Sequence, residues 1–261
     1  MSKNLTIKWV DTIDSTNLQA LREANIAPEG SVWIADFQTA GRGQRGNKWE
    51  SVKGKNLTFT ILFKPEFLHV SKQFSISEIV ALGVCKYLIN KGLTAKIKWP
   101  NDIYVGDKKI CGILIEHSIC GDKLSVSIAG IGLNLNQIIF DSAAPNPISL
   151  LLLMGSSIEY DRKKELNLLL TYIFNLYEEL KMGNEIKIKK EYMSLLYRFN
   201  EFHKFIEIDS SAPANMPIEQ ITAGVEIEAQ IIGVDENACL VLKHKAGIVK
   251  SYAFKEIKYI I

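Results

Sequence analysis

The sequence predicts an α+β fold, in which a mixed or antiparallel sheet packs against helices and a smaller β-rich unit follows. Three observations carry that expectation. Asn56 to Phe63 alternates Leu57, Phe59 and Ile61 with Thr58 and Thr60, the period of a strand. Asp161 to Met182 sets Leu166, Leu169, Leu170, Ile173, Phe174, Tyr177 and Leu180 on one helical face, and Gly183 ends the run. Beyond the Ser210 to Pro217 stretch, turns at Ala223-Gly224, Gly233 to Asn237 and Lys245 to Gly247 divide about 45 residues into short strands. That spacing suits a small SH3-like barrel.

The remaining elements follow in order. Leu5 to Val10 reads as an edge strand, and Asp14 or Ser15 can cap a helix carrying Leu18, Leu21 and Arg22. Val32 to Phe37 is a strand that enters a glycine-rich loop. Ser75 to Asn90 is a mostly apolar helix with Gly92 just beyond it. Thr94 to Trp99, Ile103 to Val105, Lys109 to Ser118 and Lys123 to Leu135 read as successive strands. Glu185 to Phe199 is a second helix, whose Lys187, Lys189 and Lys190 form a solvated face. No internal repeat or low-complexity tract interrupts the chain.

The chain has 261 residues, enough for one large domain and a small one. Its hydrophobic content of 47% and charged content of 23% are ordinary for a globular protein. A net charge of +2 gives no strong pull toward nucleic acid or a membrane surface. The four cysteines, Cys85, Cys111, Cys120 and Cys239, form no C-x-x-C pair, which argues against a zinc or redox motif. Cys85 and Cys111 sit inside apolar runs and read as buried. Met1 to Trp9 contains no signal-like apolar stretch, and no apolar run reaches the about 18 residues of a membrane span. A cytoplasmic location is expected.

Two motifs point to chemistry. Lys98-Trp99-Pro100-Asn101-Asp102-Ile103, followed by Lys109-Ile110-Cys111-Gly112-Ile113-Leu114, places two lysines and an aspartate on a short β-rich hairpin. Proline fixes its own φ and restricts Trp99, and Asn101-Asp102 favours a turn. Two cations and a carboxylate on a stiff support suit polyphosphate and its Mg²⁺. The same run taken alone also reads as a plain hairpin with solvated lysines. Upstream, Gly41-Arg42-Gly43-Gln44-Arg45-Gly46 matches G-x-G-x-x-G in letters only. A dinucleotide fingerprint needs a helix opening at the glycines, whereas Asn47 to Lys55 is no buried helix. A Walker loop fails because Gly46 is not followed by Lys and then Ser or Thr. What remains is a glycine loop with two arginines ending in Trp49, able to wrap a phosphate.

Asp14-Ser15-Thr16-Asn17, the Gly41 to Trp49 loop, Lys98 to Ile103, Lys109 to Leu114 and Gly130-Ile131-Gly132-Leu133-Asn134 occur in that order. Together they resemble the biotin–protein ligases, in the short form without an N-terminal DNA-binding domain. The resemblance implies a catalytic domain like that of class II aminoacyl-tRNA synthetases over 1–212, with the small barrel over 213–261. It implies activation of biotin by ATP as biotinyl-5'-AMP, with Mg²⁺. Transfer then goes to a lysine of a biotin carboxyl carrier protein domain belonging to a biotin-dependent carboxylase.

It also implies residue roles. Biotin would be held by Ser15, Thr16, Asn17, Gln38, Gly41, Arg42, Gly43, Gln44, Lys98 and Gly112. Hydroxyls and amides suit its ureido head because they both donate and accept. For Ser15 and Thr16, helix capping is an equally natural role. ATP would be held by Arg42, Arg45, Trp49, Lys98, Asn101, Lys109 and Asn134. Trp49 can stack on adenine or simply pack in the core. Arg42, Lys98, Asp102 and Lys109 are the expected catalytic groups, with Asp102 also the candidate Mg²⁺ ligand. Gln44 departs from the family pattern, in which arginine often follows the second glycine.

Lipoate ligases and octanoyl transferases share such chemistry, but the full Lys98 to Asp102 run and the glycine loop favour biotin. Specific DNA binding is not expected, since the thirteen residues before Asp14 cannot form a helical domain. An exposed sheet edge would allow pairing of two copies.

Overall fold

The computed structural model describes residues 6–44, 47–141, 146–208 and 224–261. A seven-stranded sheet takes the order β1-β2-β3-β7-β6-β5-β4. Its strands are β1 (Ile7–Ile13), β2 (Val32–Gln38), β3 (Leu57–Phe63), β4 (Ala95–Lys98), β5 (Asp102–Val105), β6 (Lys108–Cys120) and β7 (Lys123–Leu133). β1 and β2 run parallel and the other neighbours antiparallel, so the sheet is mixed, as expected.

The two faces of β3 explain the architecture. Leu57, Phe59, Ile61 and Phe63 point into the main core. That core is closed by α2 (Phe74–Asn90), α4 (Arg162–Lys181) and α5 (Glu185–Ser194). The alternate set, Thr58, Thr60 and Leu62, faces the other side, and it is buried too. There α1 (Thr16–Glu23) lies close on the sheet through Ala20. With Ala24 and Ala27 it forms a second small core against Trp33, Leu62 and Ile128. Thr58 and Thr60 are therefore covered, and they lie on the α1 side of the sheet.

Asp161 caps α4 by accepting hydrogen bonds from the backbone N–H groups of Lys163 and Lys164 at 2.8 and 3.0 Å. Ser15 occupies the N-cap of α1 but its side chain makes no capping bond. The second lysine-bearing helix stops at Ser194, short of the expected Phe199. A short helix, α3 (Leu150–Met154), was not expected.

The C-terminal strands form a separate five-stranded antiparallel sheet in the order β11-β10-β9-β8-β12. Its members are β8 (Phe202–Ile208), β9 (Gly224–Val234), β10 (Leu240–His244), β11 (Val249–Tyr252) and β12 (Ile257–Tyr259). β8 pairs with both β9 and β12. The sheet thus reaches back past the expected 212/213 division, because Ser210 to Pro217 joins two neighbouring strands of one sheet. That stretch lies outside the described residues, as do Leu5 and Arg45. The composition of the stretch signals a break, and the pattern of Phe202 to Ile208 is too short to announce which sheet it joins.

Candidate active site

A cavity of about 320 Å³ opens on the α1 side of the large sheet, beside the glycine loop and under the C-terminal sheet. Its floor is the β6–β7 pair. Gly112 faces Gly132 and Leu114 faces Gly130 in the register, and side chains two apart on a strand share a face. Glycine is required here by close approach. A Cβ on Gly130 would stand 2.2 Å from Asn17 Oδ1, and one on Gly132 would stand 2.2 Å from the Trp49 indole. Gly112 carries the same indole at 3.0 Å from its Cβ position.

At the Gly130 end, amides, hydroxyls and the Glu116 carboxylate form a hydrogen-bonded network. Gln38 Oε1 accepts from the Thr16 backbone N–H at 2.7 Å and from its hydroxyl at 3.0 Å. The Thr60 hydroxyl lies 2.6 Å from Asn17 Oδ1. Asn17 Nδ2 donates to Glu116 Oε2 at 2.9 Å and to the Leu114 carbonyl at 3.3 Å, so both amide hydrogens are engaged. Glu116 was missed in the sequence. It follows Gly112 and Leu114 at period two, and a carboxylate in that position on a floor strand was the available signal.

The glycine loop folds back on itself: the Gly43 N–H donates to Asn47 O at 2.7 Å, and the Trp49 N–H to Gly41 O at 3.1 Å. Gly41 forms the base of this loop and is not on the cavity wall. Arg42 lines the wall, but its guanidinium is paired with Glu116 at 2.8 Å. Gln44 lines it too, with Oε1 buried and lacking a hydrogen-bond partner. Trp49 Nε1 is likewise buried without one.

At the Gly132 end the wall is charged. β4 pairs Lys98 with Asp102 across a tight turn that contains a cis Trp99–Pro100 bond. Asn101 locks the turn to β6, donating from Nδ2 to Ile113 O at 2.6 Å and accepting from the Ile113 N–H at 2.9 Å. A bulge between Ile103 and Tyr104 adjusts the register, and Lys109 Nζ reaches Asp102 at 2.7 Å. Lys98 Nζ lies 5.3 Å from the Tyr104 ring and 4.8 Å from the Tyr259 ring. Lys109 Nζ sits 6.0 Å from the Trp49 ring.

Among the described side chains of the wall, Arg42, Lys48, Lys98, Lys109, Lys255 and Lys258 outnumber the one carboxylate, Asp102, while Glu116, off the wall, pairs with Arg42. Low-dielectric walls focus such a field on an anion. No group of three or more His, Cys, Asp or Glu side chains among the described residues could enclose a metal. One carboxylate fits a Mg²⁺ that arrives on substrate phosphates, since that ion keeps waters and takes one or two protein ligands.

Asn134 departs from expectation. Its buried side-chain amide donates to Ile148 O at 3.1 Å, and its backbone carbonyl accepts from the Leu150 N–H at 3.0 Å. It ties β7 to the start of α3 and is not on the cavity wall. The sequence placed the asparagine near the site but could not show which way its amide turns. The C-terminal contribution of Lys255, Lys258 and Tyr259 was also missed, because nothing local in sequence marks a wall supplied from another sheet.

Residues 9–134 match the biotin/lipoate A/B protein ligase family. The Escherichia coli bifunctional ligase/repressor BirA is 29% identical over 97% of this chain and 73% of its own length. The biotin–[acetyl-CoA-carboxylase] ligase of Paracoccus denitrificans is 29% identical over 90% of this chain and 92% of its own. The biotin protein ligase of Aquifex aeolicus, solved in complex with biotin and ATP, superposes with a TM-score of 0.75. That likeness has 25% identity and covers 98% of this chain and 99% of the other. The ordered motifs, the mixed sheet with its cavity and these likenesses agree: residues 9–134 form a biotin/lipoate A/B protein ligase family domain, homologous to the biotin–protein ligases.

Proposed function

We propose that this protein activates biotin as biotinyl-5'-AMP and transfers it to a specific lysine of a biotin carboxyl carrier protein domain. The observation that carries the reading is the cavity: a network of amides and hydroxyls anchored on Glu116 at one end, and a wall around it on which Arg42, Lys48, Lys98, Lys109, Lys255 and Lys258 outnumber the carboxylate Asp102. The first suits a ureido group in a mostly apolar pocket, and the second suits a triphosphate.

In the first step a biotin carboxylate oxygen attacks the α-phosphorus of ATP. The P–O bond to the β-phosphate breaks and pyrophosphate leaves. Charge grows on the phosphoryl oxygens, where fixed cations act most strongly. Lys98 and Lys109 supply them, and Asp102 holds Lys109 in place. Mg²⁺ on the phosphates would be held by Asp102 and would neutralise part of the polyphosphate charge. Arg42 serves the adenylate once it exchanges Glu116 for the phosphate. Trp49 offers its face to adenine. In the second step the carrier lysine, as a free amine, attacks the acyl carbon, the mixed anhydride breaks and AMP leaves.

Ser15, Thr16, Gln38 and the glycine floor shape the biotin end, with Asn17 ordering it. The C-terminal strands act as the small SH3-like barrel of this two-domain arrangement. A cytoplasmic location, where ATP and carrier meet, belongs to the same reading.

The test is transfer of radiolabelled biotin to a carrier domain with ATP, with lipoate and octanoate as competing acids. Label on the carrier lysine that only unlabelled biotin dilutes is the expected result. ATP-dependent transfer of lipoate with none of biotin would overturn the reading.

A further inference from the structure

Lys98 ends a four-residue strand, but the groups that surround its ammonium come from two sheets. Tyr104 stands on β5 of the large sheet. Tyr259 stands on β12 of the C-terminal sheet, with its ring centroid 4.8 Å from Lys98 Nζ. Tyr259 is 9% exposed and its hydroxyl is buried with no hydrogen-bond partner. Its own surroundings hold it firmly. β12 pairs Tyr259 with Phe205, the two rings meet edge to face at 5.2 Å, and Tyr197 packs alongside at 6.2 Å. The residue after Lys98 is held from the same direction: Trp99 Nε1 donates to Ala238 O at 3.1 Å and its ring meets Phe254 at 6.2 Å.

A neighbour that only filled volume could be aliphatic. An aromatic face over an ammonium adds an attraction that depends on the ring, strongest where water is excluded. Burial pushes the Tyr259 phenol far above its usual range, so it stays neutral and offers the ring rather than a counter-charge. An attraction of this kind restrains the ammonium without cancelling its charge.

We infer that Tyr259 is a positioning residue, whose ring holds the Lys98 ammonium where charge develops on the α-phosphate, so that the C-terminal sheet governs the rate of adenylation rather than the capture of biotin. The inference rests on the function proposed above.

The experiment measures biotin-dependent pyrophosphate release by the full chain, with the thermal midpoint of each variant. Wild-type release that requires biotin is the first arm, and its absence would fail the proposed function rather than this inference. Given that release, Tyr259→Leu is expected to lower kcat about 3- to 30-fold, with KM for biotin changed less than about threefold. Tyr259→Phe, which keeps the ring, is expected to restore kcat to within about threefold of wild type. Leu242→Ala is the control for general loosening, because Leu242 is fully buried in the C-terminal sheet and is not on the cavity wall. It is expected to lower the thermal midpoint and keep kcat. If Tyr259→Leu does not fold, Tyr259→Met, which fills the space without a ring, is read in its place. Equal kcat in wild type and the ringless variant, equal losses in Phe and Leu, or an equal loss in Leu242→Ala would each overturn the inference.

Discussion

Gly130 and Gly132 stand two residues apart on one face of β7, and the side chains they admit are held in opposite ways. Over Gly130, Asn17 is tied by its full complement of amide hydrogens to Glu116 and Leu114, in a network that also takes in Thr16, Gln38 and Thr60. Over Gly132, the Trp49 indole N–H is buried without a partner, and the nearby polar pair is an ion pair, Lys109 with Asp102. The two seats are about 7 Å apart by strand geometry. The difference teaches how one floor serves two ligands. A satisfied hydrogen-bond network is preorganised and recognises shape and hydrogen-bond pattern. A surplus of fixed cations recognises charge, and has most effect when charge is still forming.

The comparison breaks most sharply at the charged end. Asp102→Ala and Lys109→Ala are each expected to lower the rate of biotin-dependent pyrophosphate release by roughly 10²–10³-fold, as losing a fixed electrostatic contact to a transition state does. Biotin binding measured by calorimetry should survive in both. Release at the wild-type rate in either variant would remove these residues from the chemistry.

The glycines themselves give the next effect. Gly132→Ala must displace the indole, since nothing at 2.2 Å can remain. Overpacking of about 1–3 kcal/mol should weaken ATP binding roughly 5- to 150-fold and leave biotin affinity nearer to wild type. Gly130→Ala should do the reverse, through Asn17. Titration of both variants with both ligands checks this, and equal losses for each ligand would mean that the floor is not divided.

Gln44→Arg sharpens the same contrast at the loop. Oε1 of Gln44 is a buried acceptor with no partner, facing a cavity already rich in cations. An arginine there offers a charge-assisted contact to the adenylate, worth about 1.5–3 kcal/mol, or roughly 10- to 150-fold slower release. Biotinyl-AMP dissociation from the two proteins measures it. Unchanged release would show that the loop does not retain the intermediate through this position.

Glu116→Gln should produce the smallest change. The pair with Arg42 is partly exposed, and pairs of that kind contribute about 0.2–1 kcal/mol. Glutamine still accepts from Asn17, so biotin affinity should hold, while the untethered Arg42 should improve adenylate retention by up to about fivefold. Weaker retention would show that Glu116 orients Arg42 productively instead of holding it back.

How much of this was legible in the sequence follows from the range of each signal. β3 was readable because its Leu and Phe alternate with Thr, yet the same pattern could not say that Thr58 and Thr60 face a covered site rather than water. Lys98, Asp102 and Lys109 lie within twelve residues of one another, and short-range turn chemistry brings them together. Asn134 was close in sequence to the site but turned away by a hydrogen bond to Ile148, which only tertiary packing decides. Glu116 was one alternation beyond the motif and was recoverable from strand period. Tyr259 was not recoverable, since its place beside Lys98 depends on β8 and β12 pairing across about fifty residues. The pairing of β8 was hidden for the same reason.

The route by which the wall is completed has a consequence for synthesis. Phe254, Lys255, Ile257, Lys258, Tyr259 and Ile261 are the last wall residues made, and every other described wall residue lies at or before Gly132, about 120 residues earlier. The last helix that closes the core under the floor, α5, ends at Ser194, and at ~5–20 residues per second that leaves about 3–12 s before Phe254 to Ile261 appear. During that interval the nascent chain has the polar network that suits biotin and both strands that carry Lys98 and Lys109. It lacks the Tyr259 ring beside Lys98, so on the function and positioning proposed above, order of translation separates capture of the small acid from the onset of ATP chemistry.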